Sequence, residues 1–431
     1  MKILVFAHTP PPHHGQSYMV QLMLEGFGGD RRRVKRTDAL PPGNAPAPSI
    51  ECYHVNARLS QKLEDIGILR FGKFLLLLGY CLEAIWCRVR YRVPNFYYVP
   101  APGKRSALYR DWVVMLICRP FFKRVILHWH AAGLAKWLET VVHIRSRAIT
   151  YRLAKQVDLS IVLSKYNRAD AEKLFSQYIK IVSNGIPDPC PAFAREILPR
   201  RRARFAARRK LLSGQPLDAA DLRDTGGDPQ VVRVLYLAHC TREKGLFDTL
   251  TGLTLAALRL AERRVPVSLR LVVAGGFVTT EEKAEFDRLV SQPGAADMIE
   301  YSGFVAGEQK ERLLRDADLF CFPTFYENEN QPVNLIEAMA FGLPILTTRW
   351  RSIPELFPAN YPGLVDIRSP EQIASLLPVL MTTEAGEGFR DIFLRTFTLE
   401  RHLAGLADAF LQVERTPPAT FPAVVVGTFS R

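Results

Sequence analysis

Glu329-Asn-Gln-Pro-Val-Asn-Leu-Ile-Glu337-Ala-Met-Ala-Phe-Gly342-Leu-Pro344 sets two carboxylates eight residues apart, one in a polar loop and one on the first turns of a short helix. Pro332 suits a first helical position, residues 335–340 are mostly good helix formers, and Gly342 followed by Pro344 is a stop. Just upstream, Ala317-Asp-Leu-Phe-Cys-Phe-Pro323 reads as a buried parallel strand. A strand, a polar loop and a helix N-terminus make a place where an anion meets the helix dipole. Carboxylates beside it can hold hydroxyl groups. A sugar nucleotide has both kinds of group.

Outward from this stretch one pattern occurs twice. In the first half, residues 2–7 form a strand, followed by a Pro/Gly loop and a helix from about Gln16 to Phe27. Apolar strands at 96–99, 125–127 and 159–163 are separated by helical stretches. In the second half, strands at 232–237, 269–273, 299–301, 319–322 and 345–347 again alternate with helices. Such alternation predicts an α/β fold of two doubly wound parallel sheets covered on both faces. The boundaries fall at 1–190, a basic linker or insertion at 191–230, 231–395, and a C-terminal helix and tail at 396–431. Open sheets of this kind bind ligands outside their strand C-termini, so the cleft between the domains is the expected active site.

Composition sets the bounds. A chain of 431 residues exceeds one ordinary core and implies two domains. Its 48% hydrophobic and 10% aromatic content is that of a globular protein. The seven cysteines contain no CxxC pair and read as buried thiols in a reducing, cytoplasmic compartment, with neither a disulfide framework nor a zinc site. No secretory signal is expected at the N-terminus, and the longest apolar run, 74–86, is too short to span a bilayer. The formal charge of +14 gathers in three clusters: Arg31 to Arg33 with Lys35 and Arg36; Arg88, Arg90 and Arg92; and residues 195–210. Each is either a solvated face or an anion-binding surface, and their recurrence favours an anionic membrane surface as partner. Neither a base-stacking aromatic array nor a nucleic-acid module is present, so no nucleic-acid partner is expected.

Several spots carry chemistry. After the first strand, Gly15 allows close backbone approach to a ligand, and Gln16 and Ser17 can cap the next helix; a plain Pro/Gly connection explains the loop equally well. His128-Trp-His130 ends a strand, with one histidine reaching the cleft and the other packing beneath it; no third ligand supports a metal. In Ala238-His239-Cys-Thr-Arg242-Glu-Lys244-Gly245, a strand runs into a loop carrying two cations, and Lys244 can neutralise a diphosphate as a point charge. Gly275-Gly276 ends another strand, either as a tight turn or as space beside a ligand. Asp316-Ala-Asp318 has DxD form but lies at a helix end, where turn and cap roles predominate, so no metal is predicted.

Lys244-Gly245, Gly303-Phe304-Val305, the 317–320 strand and Glu329 through Ala340 resemble the C-terminal half of retaining glycosyltransferases of family 4, and Gly275-Gly276 fits the same pattern. The Pro-rich first loop, the His-x-His-x-x-Gly strand end and Ser183-Asn-Gly-Ile186 resemble the first half. Tyr53-His-Val-Asn-Ala-Arg58 resembles a segment of members that build bacterial surface polysaccharides. The resemblance implies a GT-B fold, with acceptor binding in the first domain, nucleotide-sugar binding in the second, and a C-terminal helix crossing back to the first. It implies that Glu337 bonds the ribose hydroxyls, Glu329 faces the donor sugar, Lys244 binds the diphosphate, and the 303–305 backbone reads the base. His130 would sit at the reacting sugar. Gly15, Gln16, His239, Arg242, Gly275 and the Asn330-Gln331-Pro332-Val333 turn complete the expected substrate contacts.

Two departures stand out. The family's Gly-Arg before Lys-Gly is here Ala238-His239, which leaves Arg242 as a replacement cation. Its Gly-Phe-Gly after the first glutamate is Asn330-Gln331-Pro332, and Pro332 cannot donate a backbone hydrogen bond. The expected activity is metal-independent transfer of a sugar from a UDP- or GDP-linked donor to a glycan or polyprenyl-linked acceptor, with no cofactor. A non-catalytic nucleotide-sugar binder and a GT-B phosphorylase or epimerase are the alternatives.

Overall fold

The structure, a computed structural model, describes residues 1–11, 14–33, 50–59, 71–100, 102–223 and 225–418. Lys35 and Arg36 of the first basic cluster, and the end of the C-terminal tail, lie outside the described residues. Two compact units emerge: the chain up to Val182 together with the chain from Leu403, and Ser183–His402.

In the first unit, β1 (Lys2–Ala7), β2 (Glu51–Asn56), β3 (Asn95–Tyr98), β4 (Arg124–Trp129), β5 (Leu159–Val162) and β6 (Tyr178–Ile181) form one parallel sheet in the order β2-β1-β3-β4-β5-β6. Both faces are covered, which is why these strands read as continuous apolar runs. On one face Leu4, Phe6, Phe96 and Leu127 pack with Leu77, Cys81 and Met115 from helices Phe71–Tyr91 and Arg105–Cys118. On the other, Ile3, Val5 and Ile126 pack with Val20 and Met23 of helix Gly15–Gly26 and with Leu406 and Phe410 of the C-terminal helix Leu399–Glu414. That last helix does cross back, as the resemblance implies. Arg124 fixes its end by donating to the carbonyls of Glu414 (3.2 Å) and Thr416 (2.8 Å), and Lys180 pairs with Asp408 at 2.8 Å. The sheet order reverses between β1 and β3.

In the second unit, β7 (Val231–Leu237), β8 (Ser268–Ala274), β9 (Ile299–Gly303), β10 (Leu319–Phe322), β11 (Ile345–Thr348) and β12 (Leu364–Val365) form a parallel sheet in the order β12-β11-β10-β7-β8-β9. Its order reverses between β7 and β10, and a doubly wound sheet opens its ligand crevice outside the strand C-termini at such a reversal. Two glycines permit the loops there. Gly275 after β8 has φ +155°, and a Cβ would lie 1.7 Å from the Ala238 carbonyl oxygen. Gly245 has φ +83°, and its Cβ would lie 2.3 Å from the Pro323 carbonyl oxygen. The space a Gly275 side chain would need is filled by the Ala238 backbone.

The third basic cluster turns inward. Residues 198–212 form a helix whose Arg201 and Arg208 are buried. Arg208 and Arg204 bind Asp318 at 2.7 and 3.0 Å, and Asp318 also accepts the Arg233 amide at 2.9 Å. Burial pushes the Asp318 carboxyl up, but the two arginines outweigh this and hold it below the usual range. Asp318 is thus a buried ion-pair anchor, while Asp316 at the helix end pairs with Arg312 at 3.7 Å. All seven cysteines are buried, unbridged thiols.

Candidate active site

The crevice between β7 and β10 is built from two loops and one helix. After β7, the chain runs through His239 and Arg242 to Lys244, then into helix Leu246–Glu262. After β10, residues 323–332 lead into helix Val333–Ala340. The loops hold each other: Phe325 donates its amide to the Glu243 carbonyl at 2.8 Å, and Gly245 lets the Pro323 backbone come close. Residues past β11 hold the second loop from outside, with Trp350 Nε1 donating to the Tyr326 carbonyl at 2.8 Å and Ser352 Oγ to Asn330 Oδ1 at 3.1 Å. Asn334, in the first turn of the 333–340 helix, donates to the Leu237 carbonyl at 2.9 Å and so sets that helix start against the end of β7.

Pro332 is the N-cap rather than the first helical residue, and the helix begins at Val333. Proline lacks the amide an N-cap would not need for the helix, and its fixed φ suits entry. The opposite end is neutralised by two buried arginines. Arg201 donates to the Phe341 and Gly342 carbonyls, and Arg390 to the Ala340 carbonyl at 2.9 Å. The orphan carbonyls of the helix are satisfied and the negative end of its dipole is compensated.

Two lysine–carboxylate pairs occupy the crevice. Lys244 Nζ lies 2.7 Å from Glu329 Oε2, which also accepts the Thr324 hydroxyl at 3.0 Å. The ammonium sits 4.4 Å from the centre of the Tyr326 ring, a cation–π contact. Lys310 Nζ lies 2.5 Å from Glu337 Oε1. Both carboxylates are buried, each pair thus balancing its own charge away from bulk water. His239 lies beside the first pair; burial and then Lys244 lower its pKa against the opposing pull of Glu329, which favours a neutral imidazole.

Arg242 is not brought to this cluster. Glu285 of helix Thr280–Val290 holds its guanidinium at 2.5 Å, and its ring contact is with Phe247. Asn330 and Gln331 are buried, and Gln331 is engaged by protein: its side-chain carbonyl accepts the Asn184 amide at 2.5 Å, and Asn184 Nδ2 donates to its main-chain carbonyl at 3.0 Å. Gly303 closes β9 at φ +67°, followed by exposed Phe304 and buried Val305. Lys310, Thr324 and Tyr326 were not singled out in sequence; a lysine on a helix beside Glu311 and Arg312 looks like any solvated residue.

The first unit has its own crevice at the β1/β3 reversal, lined by His8, Gln16, Tyr98 and Arg110 among others. The helix cap beside it differs from expectation. His14 is the N-cap: its Nδ1 accepts the Ser17 amide at 3.3 Å, while Ser17 Oγ accepts the His14 amide at 3.2 Å. Gly15 and Gln16 are the first residues of the helix, and the loop residues Pro12 and His13 lie outside the described residues. Burial, followed by Arg110, Arg58 and His54, lowers the His8 pKa to about 4. His130 follows β4, its ring 4.2 Å from that of His128, which is buried and bonded to the Tyr97 hydroxyl at 2.6 Å.

Residues 223–386 match the family of glycosyl transferases group 1. The group 1 segment lies within the second unit and contains both lysine–carboxylate pairs. The amylovoran biosynthesis glycosyltransferase AmsK of Erwinia amylovora is 29% identical over 171 residues, 38% of this chain and 39% of that protein. The putative colanic acid biosynthesis glycosyltransferase WcaL of Escherichia coli K12 is 29% identical over 136 residues, 31% of each chain. These matches therefore span well under half of the relatives' length. Among solved structures, Anabaena Alr3699/HepE in complex with UDP aligns at TM-score 0.58 and 13% identity, covering 96% of this chain and 100% of that one. Sucrose-phosphate synthase from Thermosynechococcus elongatus aligns at TM-score 0.61 and 17% identity, covering 96% and 99%. The fold is that of the GT-B glycosyltransferases.

Proposed function

We propose that the chain is a retaining glycosyltransferase that moves a sugar from a UDP- or GDP-linked donor to a hydroxyl of a glycan or lipid-linked glycan in cell-surface polysaccharide synthesis. The observation that carries this reading is the Lys244–Glu329 pair, 2.7 Å apart at the β7/β10 reversal beside the start of the 333–340 helix. Lys244 supplies a cation for the leaving diphosphate and the helix start supplies amide donors. Glu329 has a carboxylate to accept sugar hydroxyls, and Glu337, one helix face further, has one for the ribose. Front-face attack, in which the departing diphosphate oxygen takes the acceptor proton, asks no carboxylate nucleophile of the protein. His130, at the end of β4, is our candidate on the acceptor side. The engagement of Asp318 by two arginines argues that charge stabilisation falls to lysine rather than to a DxD-bound metal.

The names of AmsK and WcaL support a polysaccharide product, and the UDP complex of HepE supports a nucleotide donor. Among the described residues no helix is long and apolar enough to cross a membrane, and we place the protein peripherally on the inner face of the cell membrane. Assay of UDP or GDP release from matched sugar donors tests the reading. Lys244→Ala and Glu329→Ala are each expected to lower kcat/KM by about 100-fold or more at unchanged circular dichroism; near-normal turnover in both removes the assignment.

A further inference from the structure

Helix Phe71–Tyr91 is apolar on both sides. One side points into the first unit, with Leu77, Cys81, Ala84 and Cys87 buried in the core under the sheet. On the opposite side, at spacings of seven, four and three residues, stand Leu75, Leu82, Trp86 and Val89, exposed by 53, 65, 55 and 69%. A water-soluble surface helix carries polar residues on that side. Near the helix end, Arg88 donates to the Phe121 carbonyl at 2.9 Å, and Phe121 is itself exposed, as is Leu116 in helix Arg105–Cys118.

Among the described residues, the exposed charges on this helix and the segment after it are mainly basic. Between residues 71 and 123 the only acidic residues are Glu83 and Asp111. Both are already bound: Arg32 holds Glu83 at 2.6 Å, and Arg110 and the Tyr98 hydroxyl hold Asp111 at 3.0 and 2.6 Å. Arg90, Arg92 and Lys123 remain exposed at the helix end. An outward apolar stripe bordered by exposed cations matches the interface of an anionic bilayer, where apolar side chains enter the acyl boundary and arginines meet phosphate head groups.

We propose that Leu75, Leu82, Trp86 and Val89 with Leu116 and Phe121 form a docking surface for anionic phospholipid bilayers, held by Arg90 and Arg92. This gives a residue basis to the peripheral location proposed above. It is read without donor or acceptor, so its failure and a failure of sugar transfer are separate results. Flotation of the full chain with phosphatidylglycerol-containing vesicles is the test. The wild type should float at low salt, and pure phosphatidylcholine vesicles should capture far less. Leu82→Glu with Trp86→Glu should abolish flotation at an unchanged melting temperature, and Arg90→Glu with Arg92→Glu should weaken it by roughly tenfold or more and steepen no other property. A wild type that stays in solution overturns the proposal. So does equal capture by neutral vesicles, or a self-association that the Leu82/Trp86 variant disperses while vesicles bind neither protein.

Discussion

Glu337 sits in a different setting from the one its sequence suggests. The eight-residue spacing from Glu329 reveals two carboxylates, but only the fold supplies each with its own lysine, Lys244 at 2.7 Å and Lys310 at 2.5 Å. Arg242 is ion-paired with Glu285, and Lys310 stands as a second lysine beside the carboxylates. Its partner binds what we take to be the ribose, so Lys310 is a positioning residue. Replacing it with methionine is expected to raise the donor KM about tenfold while kcat changes less than about twofold, since one charged hydrogen bond holding the carboxylate is lost. Initial-rate measurements over a donor series decide it, and a fall confined to kcat contradicts this role. Lys244 and Glu329 were legible because a lysine before glycine at a strand end and a glutamate before a helix are local patterns. Lys310 was not, because its meaning lies in a partner 27 residues away.

At the scale of elements, strands that read as unbroken apolar runs are all present, including β1, β7, β8 and β10. The elements that escaped notice are β2, β6 and β12. In β2, His54 interrupts the apolar run; β6 mixes Lys180 among its apolar residues; β12 has only Leu364 and Val365. The basic stretch 195–210 illustrates the opposite error. Charge in sequence says nothing about which cations face carbonyls, and Arg201 proves to be the C-terminal clamp of the helix that bears Glu337. Burial lowers the Arg201 pKa to about 10, which still leaves it charged at neutral pH. Arg201→Ala is expected to cost about 3 kcal/mol in urea denaturation, because two buried carbonyls lose a charged donor. Arg201→Lys should recover only part of that, since one ammonium cannot reproduce a guanidinium fork. A loss under about 0.5 kcal/mol for Arg201→Ala would show that the clamp is dispensable.

For the molecule as a whole, burial lowers the pKa of several histidines, His54 and His402 among them. His402 is 2% exposed, and burial lowers its pKa to about 4 although the Ser183 carbonyl, which accepts its Nδ1–H at 2.7 Å, pulls the other way. Unfolded, the same imidazole titrates near 6.5. Between about 6.5 and 4 the unfolded chain therefore binds more protons than the folded one, and stability falls as pH drops through that window, by about 1.4 kcal/mol per unit for this residue. His8 acts in the same direction. Urea melts at pH 7 and pH 5 should show the loss, and His402→Gln should flatten the slope; parallel pH profiles for both proteins would remove His402 as its source. The overall architecture was open to sequence reading because strand–helix alternation is periodic along the chain, whereas sheet order, and with it the position of the crevice, is set by pairings between distant segments. The crowding at Gly275 and Gly245 carries a consequence for descent. Any side chain at Gly275 strikes the Ala238 carbonyl, so copies that change it are lost, while neighbouring Gly276, whose Cβ would meet nothing within 4 Å, is free to drift. Across remote kin, inheritance should therefore hold fast to the first glycine of this pair and let the second wander.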